Sequence, residues 1–153
     1  MRTLENKIPP VALTLVLAGA MWLAALCTPA LSLTIPFRWA ACLALETLGG
    51  LASLAGVMAF RNAQTTTNPL TPEGTSAMVK GGIYGVSRNP MYLGFLLMLA
   101  GWSVFVAHAL AFGFLPLFVL YMNRFQIAPE ERALLQKFGP AFTAYRSAVR
   151  RWL

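Results

Sequence analysis

Charge is what this sequence has least of. Only 11% of its 153 residues are charged, against about 25% in an average globular protein, and acidic side chains number 5 against 12 Lys and Arg. Histidine occurs once and cysteine twice. Two thiols, Cys27 and Cys42, both in or beside apolar runs, read as small hydrophobes and not as a disulfide frame. There is no His/Cys metal spacing, no phosphate-binding glycine loop, no Ser–His–Asp set and no internal repeat. What is abundant is apolar surface: 58% of the residues are hydrophobic, which excludes disorder and makes a water-soluble fold a poor fit. In a soluble protein the net charge of +7 would suggest nucleic acid; here the positions of the charges decide.

No ionisable charge lies between Lys7 and Arg38, and the run from Trp39 to Phe60 holds only Glu46. A third run, Asn89 to Asn123, holds no charge unless His108 is protonated. A membrane-spanning helix needs about 20 apolar residues. The first two runs suit one span each, whereas the third would make a helix of about 52 Å, so two helices turning near His108 are expected. The chain is thus read as one all-α, multi-pass membrane domain over residues 1–153, with four spans at about 10–27, 38–60, 91–107 and 110–126. A loop at 61–90 and a helical tail at 129–153 complete it. All the cations except Arg38 then fall on one face, which the positive-inside rule makes cytoplasmic, with both termini. The charge excess becomes a topology signal with the lipid bilayer as partner, and no nucleic acid is expected. His108 falls on the opposite side, away from any cytoplasmic chemistry.

A competing reading of the first span is a cleaved signal peptide, with Arg2 and Lys7 as the basic flank and Ala30-Leu31-Ser32 as a loose cleavage site. The loop 61–90, rich in Pro, Gly, Asn and Thr, is longer than connectors usually are without a function. Pro129-Glu130-Glu131 looks like a helix start, with carboxylates complementing the helix dipole, and Gly139-Pro140 breaks that helix. Phe138, Phe142, Tyr145, Val149 and Trp152 then form one helical stripe. Two readings of that stripe stand: an interfacial anchor among headgroups, or a helix packed on the protein itself.

Two patches converge where loops meet bilayer. One is Gly82-Ile83-Tyr84-Gly85-Val86-Ser87-Arg88-Asn89-Pro90-Met91-Tyr92-Leu93-Gly94; the other is Glu130-Glu131-Arg132-Ala133-Leu134-Leu135-Gln136-Lys137-Phe138-Gly139. These residues resemble the membrane methyltransferases that include isoprenylcysteine carboxyl methyltransferase and phospholipid N-methyltransferase. The shared pattern is Gly-x-Tyr, Arg-His/Asn-Pro-x-Tyr-x-Gly, a helical hairpin, Glu-Glu-x-x-Leu-x-x-x-Phe-Gly and an aromatic, basic tail, covering about residues 61–153. The isoprenylcysteine branch usually has His where Asn89 stands; the phospholipid branch has Asn-Pro-Met-Tyr, as here.

The resemblance implies S-adenosylmethionine as cofactor, bound at the cytoplasmic ends of the last two spans, and a small lipophilic or amphiphilic methyl acceptor entering from the bilayer. It implies Arg88 and Asn89 as catalytic residues and Tyr84, Tyr92, Leu93, Gly94, Glu130 and Glu131 as cofactor ligands. Carboxylates can accept from an ammonium or a ribose diol, tyrosine rings can stack on adenine or approach a sulfonium, and Arg88 can pair with a carboxylate. Glu46, Tyr121, Asn123 and Arg124 are candidates for the acceptor site. A carboxyl group in mid-span costs roughly 2.5–3.5 kcal/mol on insertion scales, so Glu46 either lines the acceptor cavity or is a structural hydrogen-bonding element beside Gly49-Gly50. Two rivals remain: a sterol-type reductase using NADPH, for which the chain is short, and a non-enzymatic membrane scaffold or transporter subunit.

Overall fold

The computed structural model describes residues 5–63 and 78–153; the middle of the expected cofactor loop, 64–77, lies outside them. Among the described residues the chain is helical, with no strand beyond an isolated bridge between Ser32 and His108. Helix α1 spans Pro10–Cys27, α2 Arg38–Asn62, α3 Pro90–Val106, α4 Ala109–Tyr121, α5 Ala128–Phe138 and α6 Pro140–Ala148. Proline sits in the first turn of α1, α3 and α6, where its missing N–H has no helical partner to lose.

Helix α3 is central. It packs along α2 on one side and against α1 and α4 on the other, around Met21, Leu99, Ala111, Phe118 and Met122. The α2–α3 crossing is a backbone contact: a Cβ on Gly94 would stand 2.1 Å from Ser53 Oγ and 2.5 Å from the Gly49 carbonyl oxygen. Small residues permit such an approach inside a membrane, where dispersion and not water exclusion drives helix pairing. On the other side Trp102 Nε1 donates to the Ala18 carbonyl at 3.0 Å.

The hairpin turns where the sequence predicts. Ala107 adopts the left-handed conformation, its carbonyl accepting from Leu33 N–H at 2.7 Å, and the buried His108 bonds through Nε2 to the Thr28 carbonyl at 2.8 Å. A carbonyl can only accept, so Nε2 carries the proton.

The fourth span differs from the expected 110–126: it continues without a break into α5, which carries Pro129, Glu130 and Glu131 in its first turn as the sequence predicts. Ala109–Phe138 is one helix of 30 residues that passes through a widened turn at Met122–Ile127, where Ala128 N–H reaches back to the Asn123 carbonyl. Proline normally breaks a helix by removing one bond and crowding the preceding turn. Here the wider turn gives the Pro129 ring room, and the Phe125 carbonyl, which Pro129 cannot serve, accepts from Asn6 N–H at 3.0 Å.

Three helices, α1, α2 and the one running Ala109–Phe138, are long and apolar enough to cross a membrane; α3 is apolar but has 17 residues. At 1.5 Å per residue the 30-residue helix is about 45 Å long, more than a hydrocarbon core of about 30 Å, so its charged end from Glu130 onward stands beyond the apolar layer.

The aromatic stripe is also shorter than expected. Helix α6 stops at Ala148 and Val149 is extended, so only Phe142 and Tyr145 of the stripe are buried on it. Both pack on the protein, which favours the packed helix over an interfacial anchor. The helix ends there because the carbonyls of 149–151 face outward from it to serve Arg88 and Asn89.

Candidate functional site

Three segments meet at one end of the bundle: 84–92 entering α3, 122–131 around the widened turn, and 145–152 at and after α6. Tyr92, in the first turn of α3, is buried and donates from its hydroxyl to Glu130 Oε1 at 2.5 Å. Gln126 stands four residues before Glu130, on the same helical face, and its Nε2 donates to the same oxygen at 2.7 Å. Oε2 of Glu130 carries no hydrogen bond among the described residues. Burial pushes the Glu130 carboxyl up to about 7; the bonds from Tyr92 and Gln126 oppose this and the Glu131 charge adds to it.

The neighbouring carboxylate is held in the opposite state. Glu131 Oε1 accepts from Arg88 Nη2 at 2.6 Å and Arg151 Nε at 3.1 Å, and Oε2 accepts from Arg151 Nη2 at 2.6 Å. Burial alone would raise this group, but the hydrogen bonds and charges of Arg151 and Arg88 outweigh it and hold the carboxyl below its usual range. Two adjacent acids therefore differ in kind: Glu131 is a fixed anion inside an arginine pair, and Glu130 titrates near neutrality.

Arg88 is largely spent on the protein. Besides Glu131, its Nη1 donates to the carbonyls of Arg146 at 3.0 Å and Val149 at 2.6 Å, closing the end of α6, whose last carbonyls have no helical donors. Asn89 occupies the position before α3 without capping it. Its Nδ2 donates instead to the Arg151 carbonyl at 2.9 Å, while its N–H donates to Ser87 Oγ at 3.1 Å.

The remaining sequence candidates divide. Tyr84 is buried in a short turn, Gly82–Gly85, with its ring edge-on to Phe60 and its carbonyl accepting from Tyr145 hydroxyl at 2.7 Å. Burial, then the nearby Tyr145 and Glu130, hold its phenol far above the usual range, and burial pushes Tyr145 up to about 12. Gly94 lies two residues from Tyr92, about 200° around the helix, and faces α2; Leu93 between them is partly buried. Asn123 Oδ1 accepts from Trp152 Nε1 at 3.1 Å. Arg124 points elsewhere, to Glu5 at 3.6 Å. Tyr121 stacks near Phe125, and its buried hydroxyl has no partner among the described residues. Glu46 is not brought to this end. It lies against Gly101, about 15 Å along α2 from Gly56, the residue of α2 that touches Pro90.

Sequence reasoning missed Gln126 and Arg151. The four-residue step from Gln126 to Glu130 was a usable signal; Arg151 had none, being one cation among many on that face.

A family model described as phospholipid methyltransferase matches residues 37–141. A protein of Haemophilus influenzae described as uncharacterized is 44% identical over 63 residues, which cover 41% of this chain and 100% of that protein. No solved structure matches the chain.

Proposed function

The chain belongs to the phospholipid methyltransferase family, and from that premise we propose that it transfers a methyl group from S-adenosylmethionine to a small lipophilic or amphiphilic acceptor at the cytoplasmic face of a membrane. Family and apolar helices together make it an integral membrane methyltransferase. The orientation rests on the gathering of Arg88, Arg124, Arg132, Arg146 and Arg151 at the site end, which the positive-inside rule places in the cytoplasm.

One observation carries the cofactor assignment: Glu130 is a carboxylate with one oxygen steadied by Tyr92 and Gln126 and the other without a hydrogen bond among the described residues. That donor set suits an ammonium or a ribose diol. When bound, S-adenosylmethionine supplies an electrophilic methyl group on a sulfonium. Glu130 would hold the cofactor's ammonium or ribose diol, with Tyr92 and Gln126 steadying the carboxylate. Glu131 acts indirectly, since both its oxygens are committed to arginines; Arg88 and Asn89 shape the site by fixing the segment after α6. Methyl transfer is an in-line displacement, so alignment and water exclusion contribute most of the barrier reduction.

Titration calorimetry in detergent or nanodiscs tests this. S-Adenosylhomocysteine binds the wild-type protein, and Glu130→Ala weakens it by about 10- to 100-fold, the value of a hydrogen bond to a charged group. Binding of NADPH in place of S-adenosylhomocysteine overturns the proposal in favour of the reductase.

A further inference from the structure

The family match ends at residue 141, yet the Glu131 carboxylate is held in part by a residue ten positions beyond it. We propose that Arg151 is a positioning residue of the cofactor site: it locks α5 in rotation through Glu131, so that Glu130 is presented to the ligand. The inference rests on the methyltransferase reading above and assigns a role to a side chain that neither the family match nor the motif patches include.

Residue 151 joins every wall of the site. Its guanidinium grips Glu131 as a fork, Nε to Oε1 at 3.1 Å and Nη2 to Oε2 at 2.6 Å, and extends Nη1 toward Asn123 Oδ1 at 3.5 Å. Its carbonyl accepts from Asn89 Nδ2 at 2.9 Å and from Ser87 Oγ at 3.4 Å. The preceding carbonyl, that of Arg150, accepts from Arg88 N–H at 3.0 Å. One residue therefore ties the entry to α3, the widened turn and α5 together.

The geometry explains why this matters for Glu130. Glu130 and Glu131 are consecutive on α5, about 100° apart around the helix. The widened turn at Met122–Ile127 shifts the bonding register, so α5 is rotated relative to a regular continuation of α4. The forked pairing holds α5 in that rotation, because two parallel bonds define a direction as well as a distance. Arg88 contacts Glu131 through one nitrogen only and cannot define that direction alone. Lysine at 151 would keep the charge and lose the fork.

The test is S-adenosylhomocysteine affinity by calorimetry, with melting temperature measured with and without ligand. Arg151→Ala is expected to weaken binding at least 20-fold and abolish the ligand-induced rise in melting temperature, while Arg151→Lys retains an intermediate affinity, weakened about three- to tenfold. Arg150→Ala, which removes an exposed cation from the same segment, stays within threefold of wild type. Arg151→Ala binding within twofold of wild type overturns the proposal. So does tighter binding, which would make the segment a cover that the ligand displaces. Should Arg151→Ala fail to fold, the lysine variant decides, and wild-type affinity in it overturns the role of the fork. Wild-type protein that binds no S-adenosylhomocysteine defeats the methyltransferase reading itself, a result distinct from any of these.

Discussion

At one end of the bundle the α3–α4 hairpin is held by the His108 imidazole on Thr28, a backbone bond from Leu33 to Ala107 and the Ser103 hydroxyl on the Ala111 carbonyl. At the other end the same helical layer is closed by Arg88, Arg151, Glu130 and Glu131, with Tyr92, Gln126 and Asn123 filling the gaps. Both ends solve the same mechanical problem of fixing helix termini. A hairpin needs very little to do so, as the His108 end demonstrates. The charged end is far more elaborate than helix closure requires, in a chain with only 5 acidic residues. That excess is the contrast on which the proposed cofactor site rests.

The contrast can be broken most forcefully at Glu131. Glu131→Ala leaves two guanidinium groups facing each other without their anion, at a cost of about 2–4 kcal/mol for a partly buried pair. Melting temperature and S-adenosylhomocysteine affinity should fall together, whereas Glu130→Ala, which leaves the neutral Tyr92 and Gln126 donors unserved, costs less stability than Glu131→Ala and lowers affinity by removing the ligand contact itself. Equal behaviour of the two variants would erase the division of labour between the two acids.

A smaller effect is expected from pH. Glu130 binds the ligand as an anion, and its carboxyl is pushed up to about 7, so the competent form predominates above that value and is lost as pH falls through it. Between pH 8 and pH 6 the affinity for S-adenosylhomocysteine should drop by up to about tenfold, following the ionised fraction. Glu130→Gln should bind weakly and without that dependence; a wild-type affinity flat across the range would remove Glu130 as the titrating ligand.

The smallest change belongs to the other end. His108→Ala removes the imidazole bond to the Thr28 carbonyl, which keeps its bond from Leu31 N–H, so the cost is about 0.5–1.5 kcal/mol. Thermal unfolding should register it, while the dissociation constant for S-adenosylhomocysteine stays put. A loss of binding there would show that the two ends are coupled through α3.

Much of this arrangement was legible in the amino-acid order. Charge-free runs located α1, α2 and the hairpin because water and hydrocarbon sort residues strongly, and the turn at His108 followed from length alone. The pairing of Arg88–Tyr92 with Glu130–Glu131 was visible as a pattern, and the structure brings Tyr92 to Glu130 and Arg88 to Glu131. What sequence could not supply was the choice of partner. Glu130 and Glu131 look alike on paper, and only the packing of Tyr92 and the path of residues 149–152 separate them. Pro129 and the two carboxylates after it mark the first turn of α5, but nothing beside them shows that α4 runs into it through a widened turn, with Asn6, more than a hundred positions away, serving the Phe125 carbonyl. Gly94 likewise reads equally as a ligand contact or a helix crossing until α2 is seen against it.

The Glu5 carboxylate bonds to Arg132 across 127 positions of chain, at the same joint where Asn6 serves Phe125. Loop-closure cost grows only slowly with length, and the packing of α1 against α4 already brings the two segments to the same place. The Glu5–Arg132 contact is therefore a latch laid over helices that pair by themselves, tying the segment before α1 to α5 without a long loop of its own to close.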